Sequence, residues 1–326
     1  MTSPLAGPVL VLLDHHQDAV RAPVFELLTA ARALGAAVHG VWLGEGLAGA
    51  LPALGRAGVA RVTHIASCGA PFTLTPVAAE VIAAVAAQTR AALVLVTSTF
   101  ENKEITARLG AATGAGVVVD AGGITFEAGR VVADKTVFAG TWLTRCAIST
   151  PLAVVALKAN SVHAQDAELP TTVDVVAMDV TVSDLARSVA VVERIERPSS
   201  GRPELGEAEI VVAGGRGTNG DFSVLEELAD VLGGAVGATR VATDEGWIER
   251  GAQIGQTGVS VAPRLYIGAG ISGAVHHRGG MQAAGTIVAV NTDPESPIFE
   301  IADFGIVGDL FAVLPQATAE LRRRKG

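Results

Sequence analysis

Residues 265–277 read LYIGAGISGAVHH, a short apolar run feeding directly into Gly268, Gly270 and Gly273 and then into a helical pattern. Few folds outside the α/β class can use such a stretch. A strand that ends in glycines spaced G-x-G-x-x-G and continues as a helix turns backbone N–H groups toward a ligand at the carboxyl end of a parallel sheet. Twenty residues past Gly273 stands Asp293, at the end of the next strand-like run, TIVAVNTD. That completes a dinucleotide-binding fingerprint with its distal acid. The location is unusual, however. Such a fingerprint normally opens its domain, and here only about fifty residues follow Gly273. Asp293 also precedes Pro294, so NTDP reads equally well as a turn in which Asn and Asp supply local hydrogen bonds.

The rest of the chain has the same rhythm. Val-rich runs alternate with Ala-rich helical stretches, the pattern of parallel strands buried on both faces. Aromatic residues are only 4% of the 326, so Val, Ala, Leu and Ile must build the interior. VLVLLD ends at Asp14, and VFELLTAARALG is an amphipathic helix closed by Gly35. Strands AVHGVWLG and ARVTHIA, a helix over 75–90, the strand ALVLVTS and a helix opened by STFENKEITARLG follow. Ser98 or Thr99 can cap that last helix. After Val117 the sequences RVVADKTVFAGTWLTRCAIS, PLAVVALK and TVDVVAMDV read as extended, partly antiparallel strands. ERIERPSSGRPELGEAE then breaks the pattern with Pro198, Ser199, Ser200, Gly201 and Pro203, as a linker does. The expectation is two α/β domains, over 1–197 and 208–326, joined by a linker at 198–207. Each is a mainly parallel sheet flanked by helices, and the first carries added antiparallel strands.

A net charge of −9 argues against nucleic acid or an anionic membrane as the main partner. The basic end LRRRKG suits the C-terminus of a helix. The most apolar window is interrupted by Glu80, Gln88 and Arg90, so no membrane span is expected, and the run at 9–13 is too short for a signal core. Cys68 and Cys146 lie far apart and read as reduced thiols of a cytoplasmic protein. DHH at 14–16 lacks the spacing of a zinc site, and Asp14 reads as a turn or cap residue. Lys103 and Glu104 read as a solvated helix face. No nucleophile elbow, P-loop or carboxylate pair is present, so neither a catalytic residue nor a metal ligand is expected.

Three glycine turns stand close together, AGGRG at 213–217, IGQTG at 254–258 and GAGISG at 268–273. Glycines let the backbone approach phosphate oxygens, and three such turns within about sixty residues point to a phosphate-bearing cofactor. Around them Thr257 offers a hydroxyl, and Arg216 and Arg240 offer cations at strand ends. His276 and His277 fall in the following helix, where neighbours point about 100° apart and do not both serve one site. On these residues alone an NAD-dependent oxidoreductase built on GAGISG, a carrier of another dinucleotide, and a scaffold with a degenerate site all stay open.

A longer match narrows the choice. LYIGAGISGAVHHRGGMQAAGTIVAVNTDPESPIFEIADFGIVGDLF resembles the signature of the electron-transfer flavoprotein alpha subunit, LYIAxGISGAIQHxAGM followed by TIVAINKDPxAPIFxxADYGxVxDLF. GGRG, AVGATR for the usual AVGASR, and QIGQTG for QVGQTG agree in order and spacing. The N-terminal half matches more loosely, through its strand order and NKEITARLGAATGAG.

The resemblance implies a C-terminal FAD-binding Rossmann-like domain. It also implies a nucleotide-hydrolase-like N-terminal domain, without a catalytic site of its own, that packs on a beta subunit. Such a heterodimer is an electron carrier rather than an enzyme. It takes electrons from flavoprotein dehydrogenases, such as the acyl-CoA dehydrogenases of fatty acid beta-oxidation, and passes them to a membrane quinone oxidoreductase. By the same resemblance the FAD contacts fall on Arg216, Thr239, Arg240, Ile254, Gly255, Gln256, Thr257, Ser272, Gly273, Ala274, Val275, His276, His277, Asn291, Asp309 and Leu310. Thr257 is implied to bond the flavin ring near N5, Arg240 to lie close to the ring, and His277 to sit at its pyrimidine end. There a guanidinium and an imidazole favour added negative charge, and each 1.4 kcal/mol of preference shifts a one-electron potential by about 59 mV. Asn291 then replaces Asp293 as the expected contact on its turn. The chain departs from the pattern at His276 (usually Gln), Thr239 (usually Ser) and Glu249 (commonly Pro), and in a loop after GGRG that is about two residues shorter.

Overall fold

The structure, a computed structural model, describes residues 5–138, 140–193 and 201–325. The chain divides into two compact units, 1–135 with 144–196 and 136–143 with 197–326. Of the expected linker at 198–207, residues 198–200 lie outside the described residues.

The first unit opens with β1 (Val9–Leu12), a short antiparallel pair β2 (His15–His16) and β3 (Ala19–Val20), and α1 (Ala22–Ala33). It continues through β4 (Val38–Leu43), α2 (Leu47–Arg56), β5 (Arg61–Ile65), α3 (Thr75–Thr89), β6 (Leu93–Thr97) and α4 (Phe100–Thr113). Then come β7 (Gly116–Ala121), β8 (Gly123–Glu127), β9 (Arg130–Val137), β10 (Trp142–Ala147), β11 (Ala153–Leu157), β12 (Asp174–Ala177) and the short α5 (Asp184–Arg187). Seven strands form one parallel sheet, in the order β12-β5-β4-β1-β6-β11-β7. Its central members β1, β6 and β11 are buried along their whole length, which is why they read as unbroken apolar runs. Alternate residues feed two cores. Val9, Val11, Leu93 and Leu95 pack with Leu27 and Leu28 of α1 and Leu54 of α2. Leu10, Leu12, Val94 and Val96 pack on the other face with Val81, Ile82 and Val85 of α3 and Leu109 of α4.

Two strands differ from expectation. PLAVVALK and TVDVVAMDV do not join the antiparallel part; as β11 and β12 they pair parallel with β6, β7 and β5. After Val117 the antiparallel pairing described is that of β8 with β9, which with β10 make a separate three-stranded sheet. At α4 the cap is Thr99, whose hydroxyl accepts the N–H of Asn102 at 3.1 Å. Ser98 instead donates to Asp120 at 2.8 Å. Lys103 is not merely solvated, for it pairs with the same carboxylate at 2.7 Å.

The second unit contains β13 (Ile210–Gly214), α6 (Ser223–Leu232), β14 (Ala235–Ala238), α7 (Arg240–Asp244), β15 (Leu265–Ala269), α8 (Val275–Met281), β16 (Ile287–Asn291), β17 (Phe304–Val307) and α9 (Leu310–Lys325). Its five strands are all parallel, ordered β14-β13-β15-β16-β17. Val212, Ala269 and Val290 pack on one face with Leu225 and Leu228 of α6 and Leu314 of α9. Val211, Tyr266 and Ala289 pack on the other with Met281 of α8. Both units are therefore parallel sheets flanked by helices. Among the described residues no helix is long and apolar enough to cross a membrane.

Candidate functional site

In the second sheet the chain leaves β13 toward β14 on one side and then crosses to β15 on the other. The carboxyl ends of β13 and β15 form the switch point at which open α/β sheets place their ligands. The first and third glycine turns meet there. Gly215 N–H donates to the Ala269 carbonyl at 3.2 Å and Gly217 N–H to the Gly270 carbonyl at 3.0 Å. A Cβ on Gly217 would stand 2.6 Å from Gly270 Cα, and Gly270 itself has φ +63°, so both positions require glycine.

A cleft of about 560 Å³ opens over this junction, a volume in the range of cofactor sites. Of the sixteen residues expected to contact a cofactor, Arg216, Thr239, Arg240, Ile254, Gly255, Gln256, Thr257, Ser272, Ala274, His276, His277, Asn291, Asp309 and Leu310 line it. Gly273 and Val275 do not. Gly273 lies under the turn, where a Cβ would come within 2.5 Å of Ile298 N, and Val275 faces out. Gln253, Asn219, Thr292 and Ser296 also line the cleft without having been singled out, as does Asp293, the distal acid of the fingerprint. Gln253 opens the QIGQTG match, so the sequence did carry a signal for it.

Each polar side chain on the cleft is either already engaged or left open. Thr239 Oγ1 is buried and has no hydrogen-bond partner among the described residues. Thr239 occupies the N-cap position of α7 yet caps nothing, so its hydroxyl suits a polar group of a ligand. Thr257 accepts the Gln253 amide N–H at 3.0 Å. Arg240 faces the cleft with its Nε 3.1 Å from Asp244. Asn291 is spent internally, donating to the Ile271 carbonyl at 2.8 Å and Ser296 Oγ at 3.0 Å and accepting the Asp293 N–H at 3.0 Å. Asp293 is a turn residue, its carboxylate accepting the Glu295 N–H at 3.0 Å, although it also borders the cleft. Asp309 likewise accepts the Phe311 N–H at the start of α9, at 3.0 Å.

The two histidines sit differently on the cleft that both line. His277 is only 6% exposed. Its Nδ1 lies 3.1 Å from the Ile254 carbonyl and its Nε2 2.7 Å from the Tyr266 hydroxyl. A carbonyl only accepts, so Nδ1 carries the proton and Nε2 accepts from Tyr266. Burial holds this ring well below its ordinary pKa, at about 4, against the opposing pull of the Ile254 carbonyl. His277 is thus a neutral strut beneath the 254–257 turn, with neither ring nitrogen free for the cleft. His276, one residue earlier on α8, is exposed and lines the cleft.

The residues present fit a flavin dinucleotide. The interlocked glycine turns give the backbone a close approach at a switch point, two guanidiniums border the cleft, and an orphaned hydroxyl and a fixed threonine face inward. Comparison with known proteins agrees. The electron transfer flavoprotein domain family matches residues 9–183, and the electron transfer flavoprotein FAD-binding domain family matches 204–282. A Mycobacterium leprae protein named electron transfer flavoprotein subunit alpha is 43% identical over 97% of this chain and 99% of its own length. Proteins of the same name from Bacillus subtilis and Pseudomonas aeruginosa are 34% and 35% identical, over 97% and 94% of this chain and 97% and 98% of theirs.

Proposed function

Since the chain belongs to the electron transfer flavoprotein alpha-subunit family, with FAD as cofactor of its second unit, we propose that it is the FAD-carrying half of a heterodimer that shuttles electrons. Its partner is the beta subunit. Its donors are flavoprotein dehydrogenases, acyl-CoA dehydrogenases among them, and its acceptor is a membrane quinone oxidoreductase. The heterodimer works in the cytoplasm as a carrier and converts no substrate of its own.

One observation carries this reading: the cleft at the switch point of the second sheet combines a glycine cradle with two arginines and inward hydroxyls. FAD, when bound, supplies the redox chemistry, and the protein supplies binding, orientation and electrostatics. The glycine turns and Arg216 suit the pyrophosphate, since backbone N–H groups and a guanidinium both favour anions. Thr239 and Thr257 offer hydroxyls to the polar edges of the cofactor. Arg240 is a cation beside it, tempered by its pairing with Asp244. His277 supports the carrier reading in a different way: an imidazole with both nitrogens in internal bonds moves no protons for a substrate.

The test is to co-express the chain with a beta subunit, identify the bound flavin, and follow its reduction by an acyl-CoA dehydrogenase and by NADH. Bound FAD reduced by the dehydrogenase is expected. A heterodimer without flavin absorbance, or one reduced only by NADH, would overturn the proposal.

A further inference from the structure

The proton of the Thr257 hydroxyl can point into the cleft or away from it, and its direction decides whether Thr257 gives or takes a hydrogen bond there. The Gln253 amide turns its nitrogen to Thr257, which favours giving. Its side chain, 9% exposed, spans two hydroxyls. Oε1 accepts from Thr243 Oγ1 at 3.0 Å, and Nε2 donates to Thr257 Oγ1 at 3.0 Å. Thr243 is itself buried on α7, and its single proton is shared between Gln253 Oε1 and the Arg240 carbonyl, 2.9 Å away. The Gln253 backbone is pinned at both ends, N–H to the Arg250 carbonyl at 3.1 Å and carbonyl to the Val259 N–H at 2.7 Å. A hydroxyl that receives an amide N–H uses a lone pair for it and keeps its own proton to give elsewhere.

We infer that Gln253 is a positioning residue, which holds Thr257 as a hydrogen-bond donor toward the bound FAD. This rests on the FAD reading above and adds a role that the cleft lining alone does not assign. The unprotonated ring nitrogens and carbonyl oxygens of a flavin are acceptors. A donor fixed against one of them binds more strongly as negative charge gathers on the ring, because hydrogen bonds to charged groups are the stronger ones. Orientation in advance also spares the cost of turning the hydroxyl when the electron arrives. Gln253 therefore raises the one-electron potential by acting through Thr257.

The test uses the purified heterodimer and the first one-electron potential of its FAD, measured by redox titration. Gln253→Met keeps the volume and charge and removes the N–H. It is expected to lower the one-electron equilibrium constant by up to about tenfold, about 59 mV. Thr243→Val, a milder change that loosens only the far end of the amide, lowers it less. In a Thr257→Val background, Gln253→Met has no further effect. A raised potential in Gln253→Met would mean that Thr257 had been donating to Gln253, and would overturn the inference. An unchanged potential with FAD fully bound, or an equal shift in the Thr257→Val background, would overturn it too. Absence of FAD from the unsubstituted heterodimer would instead strike the functional reading, which separates the two failures.

Discussion

The two units solve the same architectural problem and finish it differently. Each is a parallel sheet with one switch point where chain crossovers diverge, between β1 and β6 in the first and between β13 and β15 in the second. In the first, the chain fills its own crevice. Asp14, beyond β1, accepts the Asn102 amide N–H at 2.7 Å, and Thr99 caps α4. Close by, Asp120 is held by Ser98 and Lys103, which keep its carboxylate below the usual range against the desolvation that would raise it. In the second, glycines stand where side chains would fill the crevice, and Thr239 at a helix start is left without a partner. An orphaned hydroxyl alone does not separate the two crevices, since among the described residues Thr97 Oγ1 at the end of β6 is also buried without a partner; the glycine cradle does.

The largest test of that contrast concerns His277, the one fully engaged ring on the open cleft. Its pKa falls from 6.5 to about 4 on folding, so between those values the unfolded chain binds more protons than the folded one. Its contribution, on the order of 3 kcal/mol, is complete above pH 6.5 and is lost as pH falls toward 4. Urea unfolding at pH 7 and at about pH 4.5 should show a smaller acid loss in His277→Phe than in the unsubstituted chain. Equal losses would show that the ring is not held neutral. Next in size is Gly217→Val. Its side chain would collide with Gly270 backbone, and overpacking of this kind typically costs about 1–3 kcal/mol. FAD binding measured by fluorescence should weaken by roughly ten- to a hundredfold. The smallest test compares two threonines at helix starts. Thr99→Ala removes a cap and should cost about 1 kcal/mol of stability without changing FAD affinity. Thr239→Ala, which removes no internal bond, should leave the cofactor-free protein as stable as before and weaken FAD binding. If both substitutions affect the same property, the contrast between the crevices fails.

Much of this was legible in the residues. Continuous apolar runs marked the buried parallel strands, and the glycine turns marked the cleft. Strand direction was not legible for β11, because PLAVVALK reads alike either way and only its neighbours β6 and β7 determine it. The sequence also left open which of two adjacent histidines turns inward. That depends on the phase of α8 and on Tyr266, whose hydroxyl donates to His277 from within the core. The turn reading of NTDP anticipated the bond from the Asp293 N–H to Asn291, whereas the Asn291 contact with Ser296 closes only in three dimensions. Gln253 was passed over because nothing in a sequence shows an amide reaching hydroxyls on both sides.

The interlock of Gly217 with Gly270 also sets an order of events. A ribosome releases the first of these glycines some fifty residues before the second, and the Gly217 N–H finds its carbonyl acceptor only when Gly270 arrives. The seat for the cofactor is therefore among the last things the second unit can build. A product that ends before Gly270 has β13, α6 and β14 but lacks the second half of the glycine seat.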